Sequence, residues 1–101
     1  MINKVLKMSD KLGNPRTPFE ILSKATEELG EVATILNKPN KEHDEPLYSE
    51  VCDVINAVVD LAWTHHKDEF NGDRKAFMKV MKKTQKKKLL KWENRFLLWR
   101  K

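Results

Sequence analysis

The sequence predicts an all-α protein built on an antiparallel helical hairpin, and three observations lead there. Thr17-Pro18-Phe19-Glu20 combines a capping threonine, a proline at the first helical position and a glutamate three residues after the cap, a strong helix start. Apolar residues then recur at helical spacing over two stretches, residues 21–36 and 47–62. The polar connection between them, Asn37 to Glu45, carries Pro39 and is short, so the two helices should lie adjacent and antiparallel.

Taken in order, Ile2, Val5, Leu6 and Leu12, with Met8 nearby, predict a short first helix with a packing role, ended by Gly13-Asn14-Pro15. The second helix runs from the Thr17 cap to about Asn37, with Pro39 as its stop. Pro46 is expected in the first turn of the third, which continues to about His66. Asn71-Gly72-Asp73 reads as a turn, and Asp73 as the cap of a last, basic helical stretch over about residues 74–101. Phe77, Val80, Met81 and Thr84 give that stretch an apolar face. A cationic band at Lys82, Lys83, Lys86, Lys87 and Lys88 follows, and then a stripe of Leu89, Trp92, Phe96 and Trp99. The stripe reads as a packing or subunit interface, because its aromatics keep the helical period. Leu90, Leu97 and Leu98 add apolar surface that one small chain does not bury by itself, so a homo-oligomer is expected.

At 101 residues the chain fits one domain, residues 1–101. No apolar run approaches the roughly 18 residues of a membrane span, and lysines and an aspartate interrupt Met1 to Leu12, against a signal peptide. The expected location is cytoplasmic. Cys52 stands alone, which excludes an internal disulfide and a cysteine metal cluster, and it reads as a small buried residue. Only three glycines are present, too few for a phosphate cradle of backbone amides. The net charge of +5 is unevenly spread: residues 1–73 carry −6 and residues 74–101 carry +11. An acidic body with a basic tail suits metal and phosphate binding together, or nucleic-acid binding by the tail.

The chemistry is expected at Glu27-Glu28-Leu29-Gly30-Glu31 and Glu50-Val51-Cys52-Asp53. At about 100° per residue, Ile21 and Ile35 lie within about 20° of Glu28, and Leu22, Ala25, Leu29, Val32 and Leu36 form a stripe about 80° away. Glu31 lies at the edge of the apolar side, and Glu27 nearer solvent. On the third helix, Leu47, Val51, Val54, Ile55, Val58, Leu61 and Ala62 make the apolar side beside Glu50, with Asp53 about 60° off. Each helix thus carries an inward carboxylate and an edge carboxylate. Carboxylates against an apolar face need compensation, and the nearest basic residue is Lys24, one turn before Glu28. Four oxygen ligands, Glu28, Glu31, Glu50 and Asp53, suit a hard divalent cation, Mg²⁺ or Mn²⁺. Asn56 and Asp60 continue the acidic side, Asp60 as an exposed polar residue, while Trp63 is expected in packing rather than base stacking. Adjacent His65 and His66 cannot form an i, i+4 zinc pair.

The stretch Lys24 to Val32, the 18 residues between Glu31 and Glu50, and Glu50 to Ile55 together resemble the ExxE and ExxD signature of the MazG-like all-α nucleotide pyrophosphatases. That superfamily also includes phosphoribosyl-ATP pyrophosphohydrolases and all-α dUTPases and dCTPases. The resemblance implies a dimer or tetramer in which helical hairpins complete a four-helix bundle, with Mg²⁺ at the acidic motifs. It implies hydrolysis of a nucleoside triphosphate between the α and β phosphates, giving monophosphate and pyrophosphate. Glu28, Glu31, Glu50 and Asp53 match the metal ligands, and Glu27 matches an extra glutamate that orients the attacking water. Val80-Met81-Lys82-Lys83-Thr84 is similar to a segment in which a lysine followed by asparagine approaches phosphate; here Thr84 replaces the asparagine after Lys83.

Two readings use the tail instead. The Lys82 to Lys91 band with Trp92 and Trp99 fits a nucleic-acid-binding module. The same segment fits an amphipathic helix that docks on a membrane surface or a partner helix.

Overall fold

The computed structural model describes residues 1–13, 16–38 and 45–100, with side chains as far as Leu97. Its regular elements are α1 (Ile2–Leu12), α2 (Pro18–Asn37), α3 (Leu47–His66) and α4 (Arg74–Arg100), and no strand occurs among the described residues. The all-α expectation holds. The loop expected around Pro39 lies outside the described residues, as does the side chain of Trp99.

Local chemistry sets the boundaries. Thr17 caps α2 by accepting a hydrogen bond from the Glu20 amide at 3.2 Å, with Pro18 following in the first turn. Pro46 itself is the N-cap of α3, one position before the helix rather than inside it. Asn71 and Gly72 adopt positive φ angles of 55° and 72° in the turn after α3. Asp73 then caps α4, its carboxylate accepting from the Ala76 amide at 3.2 Å.

The core lies where α1, α3 and α4 meet. Leu6, Val59, Trp63 and Phe77 are buried there, with Ile2, Val5, Ile55, Ala62, Phe70, Met78 and Met81 packed around them. Trp63 is fully buried, its ring 5.1 Å from that of Phe77, so the packing role expected of it holds. Its indole nitrogen donates to Asp10 at 2.9 Å. Asp10 also receives Lys67 at 2.8 Å and Arg74 at 3.2 Å, which ties α1 to α4 and to the end of α3.

Arg16, just before α2, bonds Asp60 late in α3, whereas Glu28, further along α2, meets Glu50 and Asp53 early in α3. Numbers rise on one helix as they fall on the other, so the hairpin is antiparallel. Ile21 and Ala25 are the buried residues of α2. Leu22, Leu29 and Leu36, expected at the centre of the apolar stripe, are exposed, and so are Val51 and Val58 on α3. The packed face of α2 is therefore rotated toward Glu28, because α3 approaches along the line of Ile21, Ala25 and Glu28. Three smaller expectations also change. Cys52 is exposed. Asp60 is held by Arg16 in a partly buried pair. Val80 is exposed too, since α4 leaves the core after Met81.

Beyond Met81, every described side chain of α4 is exposed. The helix contains neither glycine nor proline between Arg74 and Arg100, so nothing folds it back onto the body. The radius of gyration is 16.3 Å. A compact chain of this length has about 13 Å. The distal part of α4 is an arm.

Candidate functional site

Glu28 stands in the middle of α2, one turn after Ala25 and in line with Ile21, so the packing that buries those two residues turns its carboxylate toward α3. Its side chain keeps 15% of its exposure, against 64% for Glu27 next to it. Glu50 lies in the first turn of α3 and Asp53 one turn further on. One carboxylate oxygen from each of Glu28, Glu50 and Asp53 falls within 4.8 Å of the others. The offset in level between Glu28 and Glu50 along the hairpin is absorbed, and three of the four expected ligands meet.

Glu31 is exposed and falls outside this group of three. It sits one turn beyond Glu28 on the edge of the same helix. Glu27 is exposed, 3.8 Å from Lys24. Lys83 is exposed on α4, past the point where that helix leaves the core, and does not line the cleft described next.

Glu28 and Asp53 line a cleft of about 680 Å³ between α1, α2 and α3, and Glu50 stands beside them outside that lining. Glu28 and Asp53 stand at one end, Arg16 and Asp60 toward the other. Val5 and Met8 of α1, Ile21 of α2 and Ala57 of α3 supply apolar wall, while Lys4, Lys24 and Asn56 add polar groups. Such a volume lies in the range of small-molecule sites, about 300–1,000 Å³.

Electrostatics separate the groups of the site. Lys24 donates to Glu28 at 3.1 Å; that hydrogen bond, with the charges of Glu27 and Glu28, raises the lysine above its usual value and keeps it protonated. Glu50 is pushed up instead. Loss of hydration comes first among the causes, then the hydrogen bond and charge of Glu45, then the charges of Asp53 and Glu28. The carboxylates of α3 thus repel one another, while the single lysine of the group sits on Glu28.

The donor set fits a hard divalent cation. All three groups are carboxylates, and a bound cation would offset both the loss of hydration that comes first in raising Glu50 and the charges of Asp53 and Glu28 that add to it. Mg²⁺ is commonly held by one or two carboxylates together with water and substrate phosphates, so three suffice without Glu31.

Sequence reasoning missed the contribution of α1. Lys4, Val5 and Met8 line the cleft, yet at the sequence level α1 offers only a short amphipathic pattern. The pairing of Arg16 with Asp60 was equally out of view, because 44 residues separate them and neither sits in a motif. No family model, curated protein or solved structure matches the chain.

Proposed function

We propose that the protein is a metal-dependent nucleotide pyrophosphohydrolase. It would cleave a ribo- or deoxyribonucleoside triphosphate between the α and β phosphates. The observation that carries this reading is the convergence of Glu28, Glu50 and Asp53 within 4.8 Å, with Glu28 and Asp53 lining a cleft of small-molecule size. The likeness of the two motifs to the ExxE and ExxD signature adds the reaction type.

In this reading Glu28, Glu50 and Asp53 hold Mg²⁺, or Mn²⁺ in its place, with Glu31 at hand one turn away. When bound, the cation supplies Lewis-acid charge for phosphate oxygens and for water. Lys24 and Lys4, both on the cleft wall, offset the negative charge of the phosphate chain. Lys83, the lysine of the motif likeness, does not line that cleft within one chain. The motif likeness gives Glu27 the orientation of the attacking water, although Glu27 is exposed and does not line the cleft within one chain. The water oxygen bonds to the α-phosphorus as the α–β bridging bond breaks, the proton the water gives up passes to the departing pyrophosphate or to solvent, and pyrophosphate leaves. The apolar walls around Val5, Met8 and Ile21 take the nucleoside and keep bulk water from it.

The test is pyrophosphate release from a panel of canonical ribo- and deoxyribonucleoside triphosphates plus phosphoribosyl-ATP, with Mg²⁺ or Mn²⁺. Metal-dependent release with a monophosphate product, reduced at least 100-fold in Glu28→Gln, is the expected result. Equal release by Glu28→Gln and the unaltered chain would remove the reading.

A further inference from the structure

The α4 arm carries charge and an indole that neither the fold nor the cleft uses. Residues 74–101 hold a net charge of +11, and no lysine between Arg74 and Leu97 forms an ion pair among the described residues. Lysines one turn apart repel, and they recur at Lys79, Lys83 and Lys87 and again at Lys82 and Lys86. The one acid of the segment, Glu93, relieves none of this, because the positions three and four residues from it are Leu89, Leu90, Phe96 and Leu97. Trp92, meanwhile, is 70% exposed. A helix that accepts repulsion and an uncovered indole with no packing reason for either has the character of a binding surface.

These groups are ordered around the helix. At about 100° per residue and with Lys82 as zero, Leu89, Phe96 and Trp92 fall at about 340°, 320° and 280°, one continuous apolar strip. Cations border it on both sides. Lys82 and Lys86 lie at about 0° and 40°, and Lys88 and Arg95 at about 240° and 220°. The first border runs back to the body, since Lys75 and Lys79, at about 20° and 60°, line a groove with Lys82 at the base of the helix, beside the capping Asp73. A row of exposed lysines from Lys75 to Lys86 thus covers about 16 Å of helix and leads to the strip.

Charge and shape identify the partner. Between Lys82 and Leu97 lysine outnumbers arginine six to one, so the arm offers point charges for phosphate and little of the forked geometry that reads base edges. Trp92 adds a flat face on which a base can stack. A duplex keeps its base faces inside the stack, whereas a single strand presents them beside its phosphates. A lipid bilayer has the charge but the wrong shape. Phe77, Met78 and Met81, at about 220°, 320° and 260°, hold α4 to the core, so the body stands on the same side of α4 as the strip. It rises there by at least the width of a helix, about 10 Å, and a flat surface laid along the strip would meet it. A flexible single strand follows the angle between arm and body.

We infer that α4 is a binding site for single-stranded nucleic acid. The phosphate backbone runs along Lys75, Lys79, Lys82 and Lys86, and the bases turn onto the neighbouring strip, where Trp92 stacks on one of them. Contacts to backbone charge and base faces make the binding tolerant of sequence. The site is separate from the carboxylate cleft, whose lining contains no residue of α4, and it does not depend on the enzymatic reading.

Fluorescence anisotropy of a labelled oligothymidylate, titrated with the full chain over a series of salt concentrations, tests it. The unaltered chain should bind, and log affinity should fall against log salt by about 0.7 for each phosphate held. Replacing two lysines together, Lys82→Ala with Lys86→Ala, should flatten that slope by about 1.4. Trp92→Ala should weaken binding about 5-fold or more and leave the slope as it was. Glu28→Gln, in the cleft, should bind as the unaltered chain does. Alanine favours helix, so circular dichroism should show full helicity in the arm variants. Absence of binding at low salt would overturn the inference, and so would undiminished binding by Trp92→Ala, which would leave only diffuse attraction to lysine. Equal affinity for a duplex of the same length would overturn its single-strand character. Vesicles containing phosphatidylserine that displace the oligothymidylate would give the arm to lipid instead.

Discussion

Asp10 and Glu50 are acids of the same charge, one bonded to Trp63 near the end of α3 and the other in the first turn of α3, and their surroundings are opposite. Asp10 sits at the core junction facing Trp63, Lys67 and Arg74. Burial alone would push its carboxyl up, yet the hydrogen bonds from Lys67 and Trp63 and the charges of Lys67 and Arg74 outweigh it and hold the group below its usual value. Glu50 faces Glu45, Asp53 and Glu28 and is pushed up. At one end of α3 an acid fastens the fold. At the other, three acids gather with Lys24 paired to Glu28 alone among them, and folding tolerates the crowding of Glu50 with Glu45 and Asp53. A cluster that opposes stability and lies on a cleft has the character of a binding site.

That contrast is best broken at its most buried point. Trp63→Ala should cost about 3–5 kcal/mol, because it empties the centre of the core and removes the donor to Asp10. Urea unfolding at fixed protein concentration measures it, and a loss under 1 kcal/mol would mean that the junction is not the core.

Next comes Asp10 itself. Asp10→Asn should destabilise by about 1–3 kcal/mol through loss of a charged acceptor for three donors. Because the folded-state value is depressed, the stability this group contributes is present above its ordinary value of 3.8 and fades as pH falls through the lower folded value. The unaltered chain should therefore lose thermal stability on acidification below about pH 4 more steeply than Asp10→Asn. Parallel curves of Tm against pH for the two would show that the charge does not hold the junction.

The smallest effect on stability belongs to Glu50. In chelator, Glu50→Gln should leave Tm unchanged or raise it, since it removes like-charge repulsion from Glu45, Asp53 and Glu28. Mn²⁺ should raise the Tm of the unaltered chain and fail to raise that of the variant. A variant destabilised in chelator would place Glu50 with Asp10 as a structural acid.

Much of this architecture is legible from residues close in sequence. The Thr17 cap, the Asp73 cap and the Asn71-Gly72 turn are local hydrogen-bonding and backbone preferences, and each appears where the chain spells it. Glu28, Glu50 and Asp53 are legible as a group because a short connection between two helices constrains which faces can meet. Leu29 and Cys52 are not legible in the same way. Both lie on apolar-looking stretches, and only the angle at which α3 approaches decides that Leu29 stays outside the monomer's core and that Cys52 is exposed. Asp60 belongs with them, since its partner Arg16 stands 44 residues away.

By itself, then, the sequence determined the helices, their caps, the antiparallel hairpin and the two acidic motifs, since these depend on periodicity and on neighbours within a few residues. The tertiary structure decided which side of the hairpin α1 covers, that α1 helps to wall the cleft, that Glu31 stays apart from the other carboxylates, and that α4 leaves the body after Met81. Those outcomes follow from how whole helices divide a small amount of apolar surface among themselves. A side chain's own helix fixes its direction, but whether that direction leads to a core, a cleft or solvent depends on what packs beside it.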